Sequence, residues 1–318
     1  MIDSAAAPII DVQEISHSFK YRRALRKISF QVQPQTLHGF VGPNGAGKTT
    51  ALKLICTLLQ PQTGAIQVFG RDVVADLKQI RRRIGFMPDH FSMYRQMTVF
   101  EYLDFFAAAY GQSMKQRNRV IDDILTLTDM GSRKDELIHG LSRGMQQRIS
   151  LARVLVNDPD LMLLDEPASG LDPRARIELM EILRELRNMG KTILISSHIL
   201  SELAELCDSV TIIDQGRIKF SGAIKHLLKS DGEFPTYRVS LAEGRGEIAE
   251  QLKGLRGIVS ADWIEGTCDY RIAYNPADTD TNNVLQEIMA LGHPIVSFSQ
   301  ERKHLNQAFM ELTARGID

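Results

Sequence analysis

The sequence predicts an α/β domain with a helical insertion, followed by a small α+β domain. Three observations carry that expectation. Over the first 230 residues, short apolar runs rich in β-branched residues alternate with amphipathic helical stretches. Leu161-Met162-Leu163-Leu164 and Ile193-Leu194-Ile195 are continuous apolar runs, as parallel strands covered on both faces require. At residues 229–235 the chain turns polar (Lys-Ser-Asp-Gly-Glu-Phe-Pro), and a different order of elements follows.

In chain order, strands are predicted at residues 9–15, 28–32, 37–41, 65–69, 84–87, 161–164, 192–196, 210–214 and 217–220. A helix is predicted at residues 50–59. Between Asp89 and Asp158 strand signals vanish. Val99, Tyr102, Leu103, Phe106 and Tyr110 share one helical face, and Val120, Ile121, Ile124, Leu125 and Leu127 suggest a second helix. Residues 89–158 therefore read as a helical subdomain, its aromatics as core. Beyond the linker the pattern is strand 237–241, helix 246–254, strands 258–264 and 270–274, helix 283–292 and strand 295–299. That β-α-β-β-α-β order is the split-βαβ, ferredoxin-like arrangement. A last helix is expected at 305–312. The domains are thus predicted as residues 1–230 and 231–318.

The 318 residues carry 38 Lys+Arg against 39 Asp+Glu, a net charge of −1, which gives no support to a general nucleic-acid binder. Three separated cysteines, Cys56, Cys207 and Cys268, argue against a disulfide framework or zinc site. No stretch approaches the ~20 consecutive apolar residues that cross a bilayer, and residues 1–8 lack the regions of a secretory signal. A soluble, intracellular chain is expected, which leaves work at a membrane surface open.

Gly42-Pro43-Asn44-Gly45-Ala46-Gly47-Lys48-Thr49 matches GxxxxGK[ST] between a strand and the helix opened by Thr50. Glycines let backbone N–H groups wrap phosphates, and the helix start adds its positive dipole end. Lys48 offers a point charge to the β/γ-phosphates, and the Thr49 hydroxyl can ligate Mg²⁺. Asp165-Glu166 then ends the apolar run 161–164, delivering two carboxylates to the sheet edge where ligands bind. Asp165 is placed to hold Mg²⁺, directly or through water. Glu166 is placed to polarise an attacking water as general base.

Three further segments complete an ordered set: Leu141-Ser142-Arg143-Gly144-Met145-Gln146-Gln147-Arg148 before the apolar strand, Ser169-Gly170-Leu171-Asp172 after it, and Ser196-Ser197-His198 ending the next. Over residues 8–230 this set resembles the ATP-binding subunit of ABC transporters. The resemblance implies a P-loop NTPase of the ABC type with ATP and Mg²⁺ as ligands. It places Ser142 and Gly144 in the signature motif, Ser169–Asp172 in the D-loop with Asp172 at the nucleotide, and His198 at the switch position, against the γ-phosphate or the attacking water. Ser142 also suits the N-cap of the stretch containing Ile149, Ala152 and Leu155. Phe19, five residues before Ala24, matches the aromatic that stacks on adenine, with Tyr21 as runner-up.

Two positions depart from the family pattern. Arg143 and Met145 replace Gly and Gln of the usual Leu-Ser-Gly-Gly-Gln; Arg143 is expected either to add charge there or to point into solvent. Asp89 stands where the Q-loop glutamine is expected and could still offer an oxygen to Mg²⁺.

The family resemblance further implies a head-to-tail homodimer or heterodimer, each ATP held between one phosphate loop and the other subunit's Ser142/Gly144. A separate transmembrane permease would receive the motion at residues 89–110, so the chain would work peripherally on the cytoplasmic face of the membrane. The carboxy-terminal unit, with Leu305-Asn-Gln-Ala-Phe309-Met-Glu-Leu-Thr, resembles the accessory domain of type-2 export-class transporters and points to export of drugs, lipids or glycans. The alternative is a non-transport ABC ATPase of translation or DNA repair, but the chain has one cassette and no long coiled coil or zinc motif. A GTPase would need an Asn-Lys-x-Asp motif, which is absent.

Overall fold

The computed structural model describes residues 7–90, 92–199, 203, 206–227 and 234–300. It divides into two compact units, the first ending at Ile224 and the second beginning at Lys225. The helix predicted at 305–312 and most of the linker predicted at 229–235 lie outside the described residues.

The first unit opens with two antiparallel strands, β1 (Ile10–Phe19) and β2 (Arg22–Val32). Then come β3 (Leu37–Val41), α1 (Lys48–Ile55), β4 (Thr63–Val68), β5 (Arg71–Asp72), α2 (Leu77–Arg81) and β6 (Ile84–Met87). The helical subdomain contributes α3 (Val99–Ala109), α4 (Met114–Leu127) and α5 (Arg143–Leu155). After it run β7 (Leu161–Asp165), α6 (Pro173–Asn188), β8 (Thr192–Ser197), β9 (Ser209–Asp214) and β10 (Arg217–Ala223). Two sheets result, a four-stranded one in the order β2-β1-β4-β5 and a six-stranded one in the order β10-β9-β3-β8-β7-β6. Within the larger sheet every pairing except β9–β10 is parallel.

Every residue of β3, β7 and β8 is buried, which is why these strands read as unbroken apolar runs. Leu52, Leu54 and Ile55 of α1 share one core with Val12, Ile28 and Ile66 of the smaller sheet and Phe40, Leu163 and Leu194 of the larger. Helix α1 is thus fixed on both sides, and the loop before it has a rigid seat.

Three strand and helix ends differ from expectation by four residues or more. β1 runs past Ile15 to Phe19, and β2 begins at Arg22 rather than Ile28. Glu14 (φ 49) and Lys27 (φ 50) are left-handed, and the register shifts beside them, so the two-residue alternation slips. Helix α1 stops at Ile55 rather than reaching Leu59, because Thr57 is left-handed (φ 66) and both Leu58 and Leu59 turn their N–H back to the Lys53 carbonyl.

The second unit contains β11 (Thr236–Leu241), α7 (Gly246–Lys253), β12 (Ile258–Trp263), β13 (Asp269–Tyr274), α8 (Thr281–Ala290) and β14 (Ile295–Gln300). Its antiparallel sheet has the order β12-β13-β11-β14, as the split-βαβ pattern demands. Asp280 caps α8, its Oδ1 accepting from the N–H groups of Asn282 and Asn283, both at 2.9 Å. Val239, Leu252, Tyr270, Ile272 and Ile288 form the core.

One buried polar group in the first unit has a measurable consequence. His38 on β3 is 1 % exposed, with Nδ1 2.7 Å from Ser209 Oγ and Nε2 2.8 Å from Thr211 Oγ1. Burial lowers its pKa from 6.5 to about 3. Below the unfolded value the unfolded chain takes up a proton that the folded chain refuses, so this site's contribution to stability is lost as the pH falls. Between pH 7.5 and 5.5 the expected loss is about 1.4 kcal/mol. Denaturant unfolding of His38→Gln should show a pH dependence weaker by that amount; an identical dependence would exclude His38 as its source.

Candidate nucleotide site

The loop Gly42–Gly47 leaves the carboxyl end of β3 and turns into α1. Gly42 donates its N–H to the Ser197 carbonyl at 3.3 Å. Gly47 has φ +114, and a Cβ there would stand 2.7 Å from the Ala24 carbonyl oxygen, so only glycine fits. Gly42 and Ala46 are buried, whereas Pro43, Asn44, Gly45 and Thr49 are exposed, and Thr50 is half-buried on α1. Loop amides and the helix N-terminus therefore face one space, an arrangement suited to phosphate. Lys48 is 6 % exposed, and its Nζ donates to the carbonyls of Gly42 at 2.7 Å and Pro43 at 3.3 Å. Arg22 Nη2 donates to the Gly45 carbonyl at 2.9 Å, which ties the β1–β2 hairpin to the loop. Phe19 ends β1 beside this contact, half-exposed, its ring edge-on to His17 at 4.7 Å; Tyr21 is fully exposed in the turn.

The carboxyl ends of β7 and β8 supply the rest. Asp165 is 1 % exposed; its Oδ1 accepts the Ser196 hydroxyl at 2.6 Å, while Oδ2 is buried without a hydrogen-bond partner. Burial raises its pKa, the neighbouring Asp89 and Glu166 charges raise it further, and the nearby Ser196 and Thr49 hydroxyls oppose the shift. Glu166 pairs Oε1 with Lys48 Nζ at 3.1 Å, and its Oε2 lies within hydrogen-bond distance of His198 Nδ1 at 2.8 Å. Its N–H donates to Ser196 Oγ at 2.9 Å. Lys48, Asp165, Glu166 and His198 thus meet at one sheet edge. Asp89, just after β6, is close enough to act on Asp165 by its charge, with His90 Nε2 at 3.6 Å on its other side.

Thr49, Asp165 and Asp89 make an all-oxygen donor set beside the phosphate loop, and Asp165 Oδ2 is a buried oxygen with an unused lone pair. Both features fit a hard divalent cation such as Mg²⁺. Among the described residues no group of three His, Cys, Asp or Glu side chains could hold a metal by itself, so phosphate oxygens would complete the coordination.

Ser142 and Gly144 stand at the start of α5, outside this cluster. Ser142 is the N-cap, its Oγ accepting from the Met145 N–H at 3.3 Å. Asp172 does the same for α6, its Oδ1 accepting from the Ala175 N–H at 3.0 Å. Arg143 is exposed, and its Nη2 donates to the Ser169 carbonyl at 3.1 Å.

Ser196 stands in the Ser196-Ser197-His198 segment, whose pattern assigns a role to His198 alone. The signal for Ser196 is a hydroxyl ending a fully apolar strand, where the parallel register sets it opposite Asp165.

Fold and site define a P-loop nucleoside triphosphatase. The family profile for ABC transporters matches residues 25–169. Nod factor export ATP-binding protein I of Burkholderia thailandensis is 37 % identical over 227 residues, covering 71 % of this chain and 74 % of that protein. ABC transporter ATP-binding protein NatA of Bacillus subtilis is 37 % identical over 213 residues, covering 67 % and 87 %. Among solved structures, cbiO1 of Clostridium perfringens, part of the ABC transporter complex cbiONQ, superposes with a TM-score of 0.64 at 28 % identity, covering 69 % of this chain and 90 % of that one. The chain belongs to the ATP-binding subunits of ABC transporters. It is an ATPase that powers a permease, and no described helix is long and apolar enough to cross a membrane.

Ser196→Ala removes the one hydroxyl that holds both Asp165 and the Glu166 backbone. Turnover is expected to fall about tenfold or more while ATP affinity is kept. A variant with wild-type kcat would show that Glu166 holds its place without Ser196.

Proposed function

We propose that this chain hydrolyses ATP to drive export through a separate membrane permease, with residues 1–230 as the motor and 231–318 as an accessory domain. The observation that carries the ATPase mechanism is the meeting of Lys48, Asp165, Glu166 and His198 at the carboxyl ends of three neighbouring parallel strands. In this reading the triphosphate lies on the N–H groups of Gly42–Thr49, with adenine on Phe19 or, failing that, Tyr21. Thr49 and Asp165 would hold Mg²⁺, with Asp89 beside them. The cation, when bound, neutralises charge developing on the phosphates.

Glu166 acts as general base. A γ-phosphate at Lys48 competes with Glu166 for the ammonium group and leaves Oε1 free to accept a proton from water. His198 holds Oε2, which fixes the rotamer of the base, and lies half-exposed toward the γ-phosphate.

The partner ATPase subunit completes each site. The open N-termini of α5 and α6, at Ser142, Gly144 and Asp172, present N–H groups to the nucleotide on the opposite chain, in a head-to-tail homodimer or heterodimer. ATP closes the pair and hydrolysis reopens it, which requires tighter binding to the closed state. The permease docks against residues 89–110. A groove of about 410 Å³ lined by Phe86, Phe106, Tyr110, Arg81 and Arg153 supports this, as do the exposed Tyr94 and Phe105 beside it. Such docking sets the chain peripherally on the cytoplasmic face of the membrane. Export is favoured by the names of relatives such as Nod factor export ATP-binding protein I.

Glu166→Gln should lower kcat by about a hundredfold while ATP still binds, and size-exclusion chromatography with ATP should then show a trapped dimer. Unchanged hydrolysis would refute the base assignment. Lys48→Ala should instead weaken ATP binding itself in an equilibrium titration, since the buried ammonium is the loop's only side-chain charge.

For Asp89, the Mg²⁺ concentration giving half-maximal hydrolysis should rise several-fold in Asp89→Ala, by about threefold or more. Superimposable Mg²⁺ curves would remove Asp89 from the cation site.

A further inference from the structure

Arg143 is the residue where this chain leaves the usual signature, and its position needs a physical reason. It occupies the first residue of α5, where a cation opposes the helix dipole. Its guanidinium lies instead against the loop that follows Glu166. Nη2 donates to the Ser169 carbonyl at 3.1 Å, and Gly170, left-handed at φ +67, leaves the room it needs. A Cβ at position 170 would stand 2.5 Å from Arg143 Cζ.

The contact belongs to a set. Gln147, one turn further along α5, donates to the Pro167 carbonyl, and Arg176 of α6 donates to the Leu171 carbonyl at 3.4 Å. Alternate carbonyls at 167, 169 and 171 are therefore each taken by a side chain from a helix start. Within the loop, the Ser169 N–H donates to the Glu166 carbonyl at 3.0 Å. A cavity of about 190 Å³ lies under the loop, lined by Glu166, Ser169, Gly170, Ser196 and His198. Pro167, Ala168 and Leu171 are buried, whereas Ser169 and Gly170 between them are not, so at these two residues the side-chain tie from Arg143 adds to the packing of their neighbours.

We propose that Arg143 is a positioning residue for Glu166, acting through the Ser169 carbonyl and the Ser169–Glu166 hydrogen bond. It couples the first turn of α5 to the backbone that carries the base. This rests on Glu166 being the base. Arg143 is then needed for hydrolysis and dispensable for loading ATP onto the phosphate loop.

The test uses the full chain at one fixed concentration, with ATP affinity from equilibrium titration, kcat and KM from steady-state hydrolysis, and thermal melting to confirm folding. Arg143→Met keeps the reach without the donor and should lower kcat about tenfold, with ATP affinity and KM within about twofold of wild type. Arg143→Lys restores a donor and should recover most of the loss. Gly170→Ala breaks the same contact from the loop side, so combined with Arg143→Met it should cost little more than the worse single variant. The proposal is overturned by a wild-type kcat in Arg143→Met. It is equally overturned by a loss confined to KM, which would place the side chain on nucleotide, or by independent, multiplying losses in the double variant. Glu166→Gln is run alongside: if it retains turnover the base assignment falls and the proposal with it, whereas if it is inactive and Arg143→Met is not, only the proposal falls.

Discussion

The register of β8 between β3 and β7 is the constraint on which the site depends. Ser196 pairs with Phe40 on one side and Asp165 on the other, and Ser197 pairs with Val41. A slip of one residue would turn Ser196 to the opposite face of the sheet and set Ile195 or Ser197 beside Asp165 in its place. Because all three strands are buried on both faces, such a slip would also expose or crowd core residues throughout, so the register is strongly specified. The carboxyl ends of the strands then stop at one level, and the chemistry-bearing residues follow on the loops that leave them.

Electrostatics decides what that edge can do. Lys48 and Glu166 are almost buried, and a buried charge without a partner is far more unfavourable than a pair. The pairing leaves Lys48 poised to exchange one anion for another. Asp165 is different: burial and two neighbouring carboxylates all favour its protonated form, and only the Ser196 and Thr49 hydroxyls work against them. A carboxylate with a raised pKa contributes stability that is lost as pH rises through that pKa. Keeping Asp165 ionised at neutral pH therefore weakens the fold, and a divalent cation would reverse that penalty. Function here opposes stability locally.

Much of this was legible in the sequence because it is local. The phosphate loop, Asp165-Glu166 and the apolar strands all declare themselves in contiguous residues, and the split-βαβ order of the second unit follows from alternation and turn residues. What escaped is non-local or irregular. The bulges at Glu14 and Lys27 hide the length of the first hairpin, because alternation resets at each. Ser196 owes its position to pairing across 31 residues, and a serine at a strand end carries no mark of that. Arg143 was visible as a departure from pattern, but its partner is a backbone carbonyl 26 residues away. No side-chain spacing can announce such a contact.

Glu166 shows how far the surroundings override local preference. Its φ of +50 belongs to the left-handed region, where a side chain with a Cβ is disfavoured by about 1 kcal/mol and glycine or asparagine would sit more easily. Neither could accept a proton there. The conformation is held by three hydrogen bonds, the N–H to Ser196, the carbonyl from Ser169 and Oε2 with His198, and by the ion pair of Oε1 with Lys48. The ties come from three places, Lys48 on α1, Ser196 and His198 at the end of β8, and Ser169 in the loop itself. A backbone held in that way keeps its carboxylate in one place while its partners change. A base that must release Lys48 to phosphate without losing its aim at water requires that property.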